Sequence, residues 1–289
     1  MIEVLYTIFL FNILIVIFKM FEKYNINILQ ALIFNYMTAG ICSYFFLESD
    51  FTLGYIFSSG WLLHAIVIGT LFIIVFVFYG LGTQKVGISI TTVANKMSLI
   101  IPVFAAIILY EDVFTYLKVI AFFLALVGIY LSSTRAGKLG FDRKYLWLII
   151  IIFFGQGISD AIFNDFAQNF PNEKGYLFFM TLFTVASVSG LLIYILESIN
   201  QQTKNRFQLK SIFWGIAFGV PNFFSLVFFL KALADPSLNS SAVFTLVSIG
   251  VVVSSSLLGV FLFNEKINKT NWIGIFLCVC AIYIFQTNI

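Results

Sequence analysis

The stretch V-G-I-S-I-T-T-V-A-N-K-M-S-L-I-I-P-V-F-A-A-I-I-L-Y-E-D, residues 86 to 112, decides how this chain is read. It is long and apolar enough for a membrane-spanning helix, yet Lys96 stands near its middle with Asn95 beside it. About 20 apolar residues cross a bilayer core, and a charge at mid-depth is costly there. Such a lysine either does not lie inside the membrane, or it faces protein or water and has a job. Pro102 follows it, and the acidic pair Glu111-Asp112 closes the segment. A second apolar run then continues to Ser133.

The rest of the chain has the same character. Of 289 residues, 61% are hydrophobic and 10% charged, and 37 are Phe. Soluble domains carry roughly 25% charged residues, and one built to this composition would expose large apolar patches. The expected class is therefore an all-α polytopic membrane protein. A net charge of +3 gives no reason to expect nucleic acid as a partner. Cys42, Cys278 and Cys280 lie in apolar runs without metal-site spacing, so neither disulfides nor metal are expected. The first segment lacks a basic leader and a cleavage site and reads as a retained helix.

Ten apolar segments can be marked, at about 2–21, 27–47, 61–83, 88–110, 114–133, 145–168, 176–198, 211–233, 241–263 and 271–287. Their connections are short. Residues 101–131 include P-V-F-A-A-I-I-L-Y-E-D-V-F-T-Y-L-K, and residues 252–285 include S-S-S-L-L-G-V-F-L-F-N-E-K-I-N-K. Superposing Glu111 on Glu265 aligns a helix end, an acidic turn and a following helix. The chain thus reads as two five-helix repeats, 1–134 and 145–289, joined by a linker at 135–144. Five is odd, so the second repeat enters from the opposite face, as in many secondary transporters. Pro102 aligns with Ser256, so the two repeats differ at one kink.

The paired helix ends P-V-F-A-A-I-I-L-Y-E and L-L-G-V-F-L-F-N-E, together with the ten-segment plan, resemble the drug/metabolite transporter superfamily and its EamA-like members. The resemblance covers essentially the whole chain. It implies transport of a small polar metabolite such as an amino acid, usually outward. It also implies a cavity among helices one to four and six to nine, with five and ten peripheral.

Lys and Arg favour cytoplasmic loops. Twelve of the 16 fall on the face opposite the N-terminus and three on its own face. This predicts a multi-pass protein of the cell (inner) membrane with both termini extracytoplasmic. Counting rise along the segments puts Asn35, Lys96, Gln156 and Asn222 at one depth near mid-membrane. Asn12 and Ser248 are plausible additions to that layer. Asn95 joins Lys96, which reads either as a fixed cation for a solute carboxylate or phosphate, or as a structural ion-pair partner. Each amide can equally serve only to tie helices together.

Gln156, Asp160, Asn164 and Gln168 recur every four residues and form one helical stripe. Asp160 lies roughly 10 Å of rise from Lys96, so a direct pair is not assured. An intramembrane carboxyl is a candidate proton carrier, and Asp160 is that candidate here, with a helix-end residue wetted from the N-terminal face as the alternative reading. His64, the one histidine, is the second proton-coupling candidate, although its place beside Trp61 also suits a membrane boundary. Pro221, after Gly215 and Gly219, should kink segment eight as Pro102 does segment four. No nucleotide loop, cofactor motif or hydrolase motif appears, so no enzyme activity and no cofactor are expected. The expected partners are a small solute, the lipid bilayer and protons or another coupling ion, and a homodimer is compatible with the sequence. A flippase for a lipid-linked substrate and a non-transporting scaffold or receptor are the alternatives.

Overall fold

A computed structural model describes residues 1–47, 52–85, 88–110, 115–133, 143–171, 175–200, 208–263 and 268–287, and among these the only regular elements are helices. Glu111, Glu265 and most of the expected linker lie outside them. The helices of the N-terminal part are α1 Ile2–Lys23, α2 Ile28–Phe45, α3 Leu53–Ser58, α4 Leu62–Lys85, α5 Ile88–Met97, α6 Ile100–Tyr110 and α7 Tyr116–Ser133. Those of the C-terminal part are α8 Leu146–Asn169, α9 Gly175–Asn200, α10 Leu209–Leu233, α11 Ser240–Phe263 and α12 Lys269–Thr287. Six of them, α1, α2, α4, α8, α9 and α10, contain stretches long and apolar enough to cross a membrane. Shorter apolar stretches occupy Ala94–Tyr110, Tyr116–Leu131, Ser240–Ser255 and Lys269–Ala281. Large apolar side chains such as Phe9, Phe45 and Phe276 point outward at 63%, 78% and 66% exposure. Water would not tolerate that surface and acyl chains would, so the protein is membrane-embedded.

Local chemistry sets the helix boundaries. The Asn27 side chain accepts a hydrogen bond from the Gln30 amide at 3.0 Å and caps α2. Asn25 takes a positive φ of 50° in the link from α1, a conformation that Asn tolerates. Thr52 caps α3 in the same way at 3.2 Å, inside a stretch that hydropathy alone leaves as a loop. At α12, Asn268 and Asn271 exchange backbone-to-side-chain bonds of 3.1 and 2.8 Å.

The two prolines behave differently. Pro102 has no amide hydrogen, and its ring crowds the carbonyl of Ser98, four residues earlier. The helix parts there: Ser98 and Leu99 separate α5 from α6, and Ser98 O accepts from the Ile101 amide at 2.9 Å instead. Pro221, by contrast, lies inside an unbroken α10. The turns before it are clamped to α2. A β-carbon on Gly215 would sit 2.6 Å from the Ala31 carbonyl, and one on Gly219 2.6 Å from the Asn35 carbonyl.

The main packing runs between the N-terminal and C-terminal helices. Helix α1 packs on α10 and α11, α2 on α9 and α10, and α4 on α8 and α9. Helices α5 and α6 pack on α8, α6 also on α11, and α7 on α12. Contacts at one end join the starts of α1, α4 and α11 to the ends of α6, α8 and α10. At the other end, Lys210 Nζ donates to the Tyr24 carbonyl at 3.1 Å and the Gln208 amide to Gln30 Oε1 at 2.9 Å.

Candidate functional site

Lys96 occupies the last turn of α5, immediately before the helix breaks. A cation suits the negative end of a helix. Its ammonium lies 5.9 Å from the centre of the Phe11 ring of α1, within cation–π range. Among the described residues it makes no hydrogen bond and no ion pair within 4 Å. Its electrostatic partner is Asp160 of α8. Both side chains sit deep in the bundle and still keep accessible surface.

A short relay of amides organises the space between them. Asn95 Nδ2 donates to Gln156 Oε1 at 3.1 Å. Gln156 Nε2 donates in turn to Asp160 Oδ1 at 3.0 Å. The amide of Gln156 is thereby oriented, with its Nε2 on the Asp160 carboxyl group. The Asn95 carbonyl accepts from the Ser98 hydroxyl at the helix break. One ammonium, one carboxylate and two amides thus converge from α5 and α8, with an aromatic face supplied by α1. The Phe11 ring leads on to Phe229 of α10 at 6.3 Å, and Phe229 stacks on Phe163 at 5.7 Å.

The other sequence candidates lie elsewhere. Asn35 is fully buried and accepts from Asn222 Nδ2 at 3.1 Å, which joins α2 to α10 below the glycine clamp. Its own Nδ2 has no partner among the described residues. Asn12 Nδ2 donates to the Ile8 carbonyl and to Ser254 Oγ, both at 2.7 Å, and ties α1 to α11. Ser248 is half-buried and makes no hydrogen bond among the described residues. Asn12, Asn35 and Asn222 thus tie helices together, and none of these bonds reaches Lys96, Gln156 or Asp160.

His64 belongs to a second cluster, at the end of the bundle where α4 begins. Its Nε2 is 2.7 Å from Asp165 Oδ2 of α8. Asp165 Oδ1 accepts from the Tyr110 hydroxyl of α6 and from Asn169 Nδ2, the latter at 2.8 Å. The His64 ring meets Phe170 edge-on at 5.5 Å. Sequence reasoning singles out His64 but not Asp165 or Tyr110, because both look like ordinary helix-end residues. Ser254 and Phe11 carry no sequence signal at all.

No family model matches the chain. It is 31% identical over 274 residues to an uncharacterized protein of Haemophilus influenzae, a match spanning 93% of this chain and 91% of the relative. A protein of known crystal structure superposes with a TM-score of 0.72 over 99% of this chain and 96% of that one, at 16% identity. At that identity the likeness establishes the fold alone. With nearly a third of positions identical along almost the full length of both, this chain belongs to the family of the Haemophilus influenzae protein.

Proposed function

We propose that the protein is a secondary active transporter that carries a small polar metabolite across the membrane by alternating access. The observation that carries this reading is Lys96, a deep ammonium with no ion pair among the described residues, at a helix break and near the Asp160 carboxyl group held by an amide. A purely structural lysine would close onto Asp160, because an uncompensated charge is expensive there. A separated cation and anion instead complement a zwitterion. An amino acid fits, its carboxylate on Lys96 and its ammonium on Asp160, with Gln156 and Asn95 completing the hydrogen bonds. Asp160 is also the assigned proton carrier.

The ten-helix inverted-repeat plan of the drug/metabolite transporters supports the same reading. Let α1, α2, α4, α5–α6 and α7 correspond in order to α8, α9, α10, α11 and α12. The packing of α1 on α10 then exchanges with α8 on α4, α1 on α11 with α8 on α5–α6, and α2 on α10 with α9 on α4. The pairs α2–α9, α6–α11 and α7–α12 map onto themselves. A two-fold relation of this kind lets one half rock against the other around a central site.

The test is solute counterflow in reconstituted vesicles with the twenty L-amino acids. Wild-type protein should exchange at least one of them, and Lys96→Ala, folded by thermal unfolding and gel filtration, should lose that exchange by about 10-fold or more. Wild-type rates in Lys96→Ala would remove the anchor role. No exchange of any solute by wild-type protein would remove the transporter reading.

A further inference from the structure

On α8, the stripe of Gln156, Asp160, Asn164 and Gln168 changes partners along its length. Gln156 and Asp160 belong to the Lys96 site. Gln168 Nε2 donates to Ser240 Oγ at 3.0 Å and to the Leu233 carbonyl at 3.3 Å, joining the end of α8 to the end of α10 and the start of α11. Asn164 lies between them, one helical turn and about 6 Å of rise from each. It is fully buried, and neither its Nδ2 nor its Oδ1 has a partner among the described residues. Burying an amide with both ends unmatched costs free energy that a leucine of similar size would avoid. A polar group held at that cost in one conformation is explained if another conformation satisfies it.

We propose that Asn164 lines a polar route leading from the Lys96 site to the end of the bundle where α11 begins, and that the Gln168–Ser240 bond is the latch that closes this route in the present conformer. With the latch open, the helix ends part and the Asn164 amide meets water and a small polar solute. The amide offers both a donor and an acceptor, so it suits either end of a zwitterion. The solute part of this inference rests on the transporter reading, whereas the opening does not.

The experiment is cysteine accessibility. Asn164→Cys is made with Cys42, Cys278 and Cys280 replaced by alanine, and the purified protein is treated with a small charged methanethiosulfonate reagent. Ala186→Cys, at a fully buried position on α9, is the control. Position 164 should react at least several-fold faster than position 186, and adding Gln168→Ala should raise the rate at 164 several-fold further with no change at 186. Equal rates at 164 and 186, or no effect of Gln168→Ala, would overturn the proposal. A second variant, Asn164→Leu, should keep or raise the melting temperature while slowing exchange. A clear fall in melting temperature would show that the amide is satisfied structurally, and would also overturn it. If wild-type protein exchanges no solute, the transporter reading fails while the labelling result still decides whether the route exists.

Discussion

His64 Nε2 and Asp165 Oδ2 stand 2.7 Å apart although 101 positions separate them in the chain. Asp165 also accepts from Tyr110 and Asn169, so one carboxylate gathers the start of α4 and the end of α6 onto α8. Hydrogen bonds to charged groups contribute about 1.5–3 kcal/mol each when formed. Asp165→Asn keeps the size and removes the charge, and should destabilise the protein by about 1–3 kcal/mol. Tyr110→Phe should cost less. Thermal unfolding in detergent checks both, and an unchanged melting temperature in Asp165→Asn would mean that the cluster does not hold this end together.

The approach of α10 to α2 gives a second expectation. A β-carbon at position 219 would stand 2.6 Å from the Asn35 carbonyl and 2.6 Å from the Thr38 β-carbon. Backbone cannot yield as a side-chain tip can, so Gly219→Ala should cost about 1–3 kcal/mol. The same shift should part Asn222 from Asn35, so Gly219→Ala and Asn222→Leu should be less than additive in a double-mutant cycle.

Asp160 carries the prediction about pH. If it takes up the coupling proton, Asp160→Asn should flatten the pH dependence of solute exchange while leaving folding intact. An unchanged pH profile would remove it from that role and leave His64 as the remaining candidate.

A different pH effect belongs to Asp235, in the link between α10 and α11. Hydrogen bonds from the Ser237 hydroxyl and amide hold its carboxyl below the usual carboxylate range, and the N-terminal ammonium 3.7 Å away acts in the same direction. A lowered folded-state pKa stabilises above the unfolded value of about 3.9 and is lost as pH falls through the lowered one. Asp235→Asn should therefore lower the melting temperature slightly at neutral pH. The difference from wild type should shrink as pH falls below about 3.9, which a pH series of melting curves reads directly.

Much of the helical framework is legible in the sequence because hydropathy is a local property. The all-helical, apolar character and the four-residue stripe on α8 both follow from periods of one helix. Two prolines look equivalent on that basis. Only the one at 102 accompanies a broken helix, since the glycine clamp that steadies α10 is a tertiary contact. Depth counting sets Asn35 and Asn222 at one level, but nothing local says that they bond to each other while Asn12 turns to Ser254. Likewise, rise along the helices leaves Lys96 and Asp160 apart, and the bond from Asn95 to Gln156 beside them is decided by how α5 meets α8. The His64 cluster is illegible for a related reason: its members sit at helix ends, where a single chain cannot distinguish a boundary residue from a contact.

The packing of the chain also bears on how it must be made. Gly128 of α7 meets Cys278 and the Gly274 carbonyl of α12 so closely that a β-carbon there would stand 2.7 Å from the Cys278 sulfur. Helices α1, α2, α4, α6 and α7 likewise pack chiefly on C-terminal ones. Residues 1–133 on their own would present their contact surfaces to lipid with nothing to match them. Synthesis of the second half is therefore the event that completes the first. A protein cut between 134 and 142, or produced as two polypeptides in one cell, should still purify as a single particle.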